Sequence, residues 1–521
     1  MNADVEATRR YHAQTAHSPQ SVRAGDHSLV WETKPSPFKI YPDLVPAPLD
    51  RDFPALGTDV LRALSGEPPG RAERLDRSRL AALLHFSAGI TKHRVYPGGG
   101  EVFFRAAPST GALYQTEVYV VAGAVDGLGA GVYHFSPGDF ALRPLRARAD
   151  FRAVLAVAAA DDAIAAAPAT LVTSAIYWRN TWKYRARGYR HLFWDAGTLL
   201  ANLLAAARAL ALPARLVTGF VEREVNGLLG LDPEKEGALV LVPVGAEGAP
   251  APIAPIVSPL AHAVIPLSSR EVDEPLLRDA YANSSFDAEA EVIEWRDGPA
   301  LGAGAGSRPG GVPVALPAPR EEAGRALDDT ILARGSTRRF SGESISLGDL
   351  STALSHAARP VPADLPGGLP DGCVELYLTV HAVDGLAPGA YHYRSRDHVL
   401  DQLAPGDFRR ESAFLSLEQA LGGTSSATVF FLADLAALLE RFGNRGYRLA
   451  NLAAGLCGGR LYLVAYGLGF GATGLTYYDR QVVEFFSPHA AGREAIFVTA
   501  LGRSARGPAS PLIPPPTRPA R

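Results

Sequence analysis

Two short stretches carry side chains that could hold a ligand. LARGSTRRF, residues 332–340, sets Arg334, Ser336 and Arg338 at alternate positions. Two guanidinium groups around one hydroxyl can converge on a phosphate, above all where the segment opens a helix and adds free backbone N–H groups. The same letters also describe a solvated basic turn. RAAPSTGALYQTEVYVV, residues 105–121, places Arg105, Pro108, Ser109, Thr110 and Gly111 directly before a strand pattern. A Pro-Ser-Thr-Gly turn offers hydroxyls and exposed N–H groups to the edge of a planar heterocycle, or simply leads the chain into the strand. Other chemistry is poorly supplied. His12 and His17 have no further ligands at metal spacing, and two cysteines, Cys373 and Cys457, exclude a disulfide framework or an iron-sulfur site. The glycines from Gly467 to Gly474 follow a helix pattern rather than a strand, which is the wrong context for a dinucleotide loop.

Both stretches belong to a repeat. Glu117–Leu145 lies without gaps over Glu375–Leu403, sharing AVDGL and Tyr-His, and the same 258-residue offset sets RGYR at 187–190 over RGYR at 445–448. Each copy reads as a helix, a strand (EVYVVAGAV or ELYLTVHAV), a hairpin-like GVYHF or GAYHY, a long Ala/Leu-rich helix and a closing strand. The long helices, placed at 195–212 and 449–468, are apolar nearly all round and so should be central. His134 and His392 recur with a tyrosine in both copies, as a packing or hydrogen-bonding feature of the fold would. The expected class is α+β, with an antiparallel-rich sheet packed by helices.

Composition sets the outer bounds. With 521 residues the chain exceeds one domain, and 47% hydrophobic against 20% charged residues describes globular material. Lys plus Arg is 51 against 54 Asp plus Glu, for a net charge of −3, so neither nucleic acid nor an acidic membrane is an expected partner. No signal-like apolar run opens the chain, and Asp161, Asp162 and Arg208 interrupt the longest apolar stretches; a cytoplasmic protein without membrane spans is expected. The breaks suggest an arm over 1–50, a first domain over 51–246, a Pro/Gly-rich linker over 247–320, a second domain over 321–503 and a disordered tail over 504–521.

RxSxR, PSTGALYQTEVYVV followed by GVYHF, KYRARGYRHLFWDAG, GATG and the closing ALGR occur in an order that resembles the nitroreductase superfamily of FMN enzymes. Within it they resemble the SagB-type dehydrogenases, which oxidise azolines to azoles in modified-peptide biosynthesis, and the N-terminal arm is similar to theirs. The resemblance covers most of the chain outside linker and tail. It implies a nitroreductase-like fold in two tandem copies, paired as an intramolecular pseudo-dimer where relatives pair two chains. It implies FMN held by Arg334, Ser336, Arg338, Thr473, Gly474 and Arg503 of the second copy and by Arg105, Pro108, Ser109 and Thr110 of the first. The Lys183-Tyr184 pair matches the SagB-type proton acceptor; the offset sets Arg441-Phe442 against it, which cannot do acid–base work. RxSxR has no counterpart in the first copy, where Ala246 replaces the closing Arg, and Pro108-Ser109-Thr110 falls on Pro366-Gly367-Gly368. One composite flavin site per chain is expected. The implied substrate is a peptide or carrier-bound heterocycle, with a cyclodehydratase or peptide synthetase as partner. An NAD(P)H-dependent reductase of nitro compounds or quinones is the alternative within the same fold.

Overall fold

The computed structural model describes residues 2–505 apart from 26–27, 66–70, 96–99, 124, 247, 249, 252, 300, 302–309 and 370–371. Most of the tail expected to be disordered lies outside the described residues. Two antiparallel sheets form the frame. In the first the order is Ala47–Pro48, Ala141–Ala147, Gly131–Ser136, Thr116–Ala122, Ala169–Ile176, Glu236–Val244. The second runs Gly471–Leu475, Glu494–Gly502, Ala427–Ala433, Glu375–Val380, Gly389–Arg394, Val399–Pro405, Val312–Ala315. The repeat extends to register: Tyr119 stands opposite His134, and Tyr377 opposite His392. Each of those histidines faces a glutamate, His134 to Glu117 at 2.7 Å and His392 to Glu375 at 3.6 Å.

Thr116–Ala122 is buried on both faces, which is why Val118–Ala122 does not alternate with charges and why its one charge, Glu117, is paired with His134 and Arg179. Val118, Val120 and Ala122 point into the large core between the copies, while Tyr119 and Val121 enter a smaller core on the other face. The two long helices, Gly188–Ala209 and Arg445–Gly467, begin earlier than their apolar pattern suggests, because RGYR forms the first turn of each. They cross against one another at small residues. A Cβ on Gly197 would stand 2.5 Å from the Leu452 carbonyl oxygen, and one on its repeat counterpart Gly455 would stand 2.3 Å from that of Trp194. Only glycine permits this approach.

The repeated RGYR is a reciprocal lock. Arg187 and Arg190 of the first copy reach Asp479 of the second at 3.0 and 2.5 Å, and Arg445 and Arg448 of the second reach Glu222 of the first at 2.6 and 2.5 Å. All six side chains are buried, and although burial alone would raise it, the two arginines hold the Asp479 carboxyl at about 2. Tyr189 and Tyr447 stack at 6.3 Å across the same junction. Tyr11, on the arm helix Val5–Thr15, stands edge-on to both, at 5.2 and 5.7 Å. The arm also grips equivalent positions of the two sheets: Lys39 pairs with Glu236 at 2.6 Å, and His12 with Glu494 at 3.0 Å.

Segment 247–320 is more built than its composition suggests. It contains helices Pro275–Asn283 and Glu289–Asp297, whose Leu277, Tyr281, Val292 and Trp295 are buried, and its strand Val312–Ala315 forms the edge of the second sheet. No helix among the described residues is long and apolar enough to cross a membrane.

Candidate active site

A cavity of about 410 Å³ opens between the copies. The first copy contributes the turn Pro108–Gly111 and, from the end of helix Tyr177–Tyr184, Lys183 and Tyr184. The first turns of Gly188–Ala209 add His191, Trp194, Asp195 and Thr198. From the second copy come Ser336, Arg338, Tyr462, Thr473, Gly474 and Phe497, and from the arm Leu29, Trp31 and Lys34. Nine of the twelve site residues expected from sequence therefore line one cavity.

The turn is fixed from below by Asp195. Its buried carboxylate accepts the Ser109 hydroxyl, the Thr110 hydroxyl at 2.7 Å and the Thr110 N–H at 2.9 Å. The Thr198 hydroxyl, one turn on, donates to the Pro108 carbonyl at 2.8 Å. Gly111 has φ +64°, and a Cβ there would lie 2.7 Å from the Tyr184 hydroxyl, so this turn seats the phenol. The opposite face of Tyr184 is set by His191, edge-on at 4.6 Å, and the Lys183 ammonium stands 5.2 Å from the Tyr184 ring centre. Across the cavity, the Tyr462 hydroxyl lies 3.1 Å from that of Ser336 and accepts the Gly474 N–H at 2.7 Å.

Electrostatics separate the pair. Lys183 is pushed below the usual lysine value by burial, then by the charges of Arg338 and Lys34. Tyr184 is pushed above the usual phenol value by burial and then by the Asp195 carboxylate, with Arg338 opposing. Burial lifts Asp195 itself to about 6 against its hydrogen bonds from Ser109 and Thr110. His191 is held neutral, far below the usual imidazole value, by burial and the surrounding cations.

Three arginines and two hydroxyls depart from expectation. RxSxR does not open a helix: Arg334 caps the C-terminus of Leu327–Ala333, so no helix N-terminus faces the cavity from this segment. The Arg334 guanidinium lies outside the cavity and donates to the Ala106 and Arg105 carbonyls of the first copy, at 2.9 and 2.8 Å. Arg105 is likewise consumed, by the Thr116 and Pro37 carbonyls at 3.1 and 2.7 Å, which fastens the arm to the sheet. Arg503 is exposed and donates to the Ser344 carbonyl at 2.9 Å. Ser109 and Thr110 do reach the cavity wall, but their hydroxyls are turned onto Asp195 rather than toward a ligand.

Sequence reasoning passed over Asp195, His191 and Thr198. The repeat held their signal: at the 258-residue offset they fall on Ala453, Leu449 and Leu456, so one helical face is polar in the first copy and apolar in the second. The equivalent position on the other side is altered: a cavity of about 350 Å³ remains there, but Leu204 and Leu456 stand where the first site has Tyr462 and Thr198. Arg441 and Phe442, set against Lys183 and Tyr184, pack on Trp295: Arg441 Nη1 donates to its carbonyl at 2.9 Å, and Phe442 lies 5.6 Å from its ring. A Cβ on Gly219 would stand 2.6 Å from that indole. Asp364, near Pro366–Gly368, takes the Thr218 and Gly219 N–H groups at 2.9 and 2.8 Å.

The nitroreductase family model matches residues 71–246 and 331–491. A protein of Methanocaldococcus jannaschii described as a nitroreductase is 32% identical over 167 residues, 32% of this chain and 78% of that protein. Trifolitoxin-processing protein TfxB of Rhizobium leguminosarum bv. trifolii is 30% identical over 170 residues, 31% of this chain and 44% of its own length. Among solved structures, a protein of Anabaena variabilis described as a nitroreductase superposes with a TM-score of 0.74 at 26% identity, covering 96% of this chain and 99% of that one. The tandem arrangement is thus shared over its whole length.

Proposed function

The chain belongs to the nitroreductase family, and from that premise we propose that it is an FMN-dependent dehydrogenase that oxidises an azoline to an azole in a peptide or peptide-derived natural product. The observation that carries the reading is the convergence of Lys183 and Tyr184 from one copy with Ser336 and Arg338 from the other on a single cavity. The relative named for trifolitoxin processing supports a substrate of this kind.

The cavity's donor set suits FMN. Arg338 and the Ser336 hydroxyl offer a cation and a donor for the phosphate, Trp194, Tyr462 and Phe497 give aromatic walls, and Gly474 lets backbone approach closely. When bound, the flavin supplies a hydride acceptor. The protein's share is the proton. Aromatising an azoline removes one hydrogen as hydride and a second as a proton, and the group that takes the proton must be unprotonated at working pH. Lys183 is moved toward that condition, its ammonium disfavoured by burial and then by the charges of Arg338 and Lys34. Tyr184, raised by burial and Asp195, stays protonated, so its hydroxyl donates a hydrogen bond. We assign Lys183 Nζ as proton acceptor and Tyr184 as the donor that orients substrate beside it. Asp195 acts through the turn Pro108–Gly111, which it holds against Tyr184.

The reductase alternative draws on the Methanocaldococcus relative. Protein loaded with FMN and mixed anaerobically with a thiazoline-containing peptide should bleach the flavin and release a thiazole two hydrogens lighter. No bleaching by thiazoline, combined with steady NAD(P)H oxidation by a nitroarene, would assign the chain to the reductases.

A further inference from the structure

Three cations open onto the cavity, one from each part of the chain: Lys34 of the arm, Lys183 of the first copy and Arg338 of the second. None of the three side chains has an ion-pair or hydrogen-bond partner among the described residues. Asp195 is the cavity's single carboxylate among the described residues, and both its oxygens are taken by Ser109 and Thr110. The cavity therefore presents an uncompensated positive field to whatever enters it. In the reaction proposed above, Arg338 meets the flavin phosphate and Lys183 takes the proton. Lys34 has no task there.

Lys34 is nevertheless held in place. Its backbone N–H closes the short turn on the Trp31 carbonyl at 3.1 Å, and Trp182 Nε1 donates to the Val30 carbonyl at 3.0 Å. Immediately downstream, Arg179 binds the Ser36 carbonyl at 2.9 Å and Arg105 that of Pro37 at 2.7 Å. The lysine thus projects from a stretch of arm pinned on both sides. Beside it Trp31 and Trp182 meet edge-on at 5.4 Å, and Leu29 and Leu113 pack on the same pair, giving an apolar wall next to a lone cation.

The geometry points to the arm segment 29–34 as the wall that selects substrate, with Lys34 holding a carboxylate of the substrate and Trp31–Trp182 holding an aromatic or aliphatic substituent next to the heterocycle. The substrate class is an azoline bearing a free carboxylate, at a chain end or on a small released acid, rather than one enclosed by amides on both sides. This deepens the azoline-oxidising reading and rests on it.

The test compares 2-phenylthiazole-4-carboxylate with its primary amide, product-like probes that differ in the charge alone. Binding is read by quenching of tryptophan fluorescence, in protein with and without FMN. Lys34 is exposed, so the acid should bind about two- to fivefold more tightly, as an ion pair open to solvent provides. Lys34→Gln should abolish that preference and Lys34→Arg should keep it, both with unchanged circular dichroism. Equal affinity of acid and amide overturns the proposal, as does a preference that survives in Lys34→Gln. Loss of FMN from Lys34→Gln without change in the acid-to-amide ratio also overturns it, by assigning the lysine to the flavin phosphate. If the acid preference holds and depends on Lys34 but no thiazoline is oxidised, the recognition stands and the reaction reading falls. If thiazoline acid and amide are oxidised equally, the reverse is true.

Discussion

Lys183 and Tyr184 are neighbours with opposite environments, and their variants should separate. Lys183→Ala should keep FMN and lose substrate oxidation by about 10²- to 10⁴-fold, the range for removing a general base, while flavin reduction by dithionite survives. Tyr184→Phe should also retain flavin but raise KM along with its loss in kcat, since a hydrogen bond to substrate disappears while the amine remains. Single-turnover kinetics with a thiazoline peptide separate the two. Asp195 gives a pH test in the flavin-free protein. Its folded-state value of about 6 lies above the ordinary 3.8, so folded protein binds that proton more tightly than unfolded protein and stability falls as pH rises through this range. Thermal melts of Asp195→Asn should gain on wild type between pH 4 and pH 7, in steps that vanish below the lower value. Ser109 and Thr110 were legible as hydroxyls at a functional turn, but not which way they point, because their acceptor lies 85 or more residues along the chain. Arg105 and Arg334 were misread for a similar reason: carbonyls of distant segments consume a guanidinium as readily as a phosphate does, and no local pattern tells the two apart.

Three strands of each copy were legible, because the repeat supplied them twice and the 258-residue offset survives into strand register, but Ala169–Ile176 and Ala427–Ala433, which pair between the first and closing strands, were not. Nor were the helix starts. Apolar periodicity begins near Asp195 and Leu449, yet the helices begin at Gly188 and Arg445, where Arg187, Arg190, Arg445 and Arg448 are buried by carboxylates from the other copy. The helices of segment 275–297 escaped notice because the surrounding Pro and Gly dominate composition, although Tyr281 and Trp295 anchor them. The crossing of the two long helices is the most sensitive element. Gly197→Ala should lower stability by roughly 1 to 3 kcal/mol, as overpacking does, because its Cβ meets backbone rather than a side chain that can move. Glu222→Gln removes the anion shared by Arg445 and Arg448, and the unpaired buried charges should cost about 3 to 5 kcal/mol, read from the midpoint of denaturant unfolding.

For the whole molecule the sequence already implied unequal halves, from complementary loss of motifs, and the lining of the counterpart cavity gives that inequality a physical form. There Leu204 and Leu456 replace Tyr462 and Thr198, and Trp295 packs on Phe442 while Asp364 takes the Thr218 and Gly219 N–H groups. Protein refolded with excess FMN should retain close to one flavin per chain, counted by absorbance after denaturation; two per chain would contradict the composite-site reading. What composition could not reveal is what the arm braces. Tyr11 occupies the spot where the two copies face each other, edge-on to Tyr189 and to Tyr447 at once. Across the junction, the end of helix Pro275–Asn283 meets the second RGYR as the arm meets the first: Arg445 and Arg448 reach the Ser284 and Tyr281 carbonyls as Arg187 and Arg190 reach those of Thr15 and His12. Each copy thus has a brace of its own within one chain, and since the two braces differ in sequence, Tyr11 in one standing where Ala280 stands in the other, one copy is free to change without the other having to change with it.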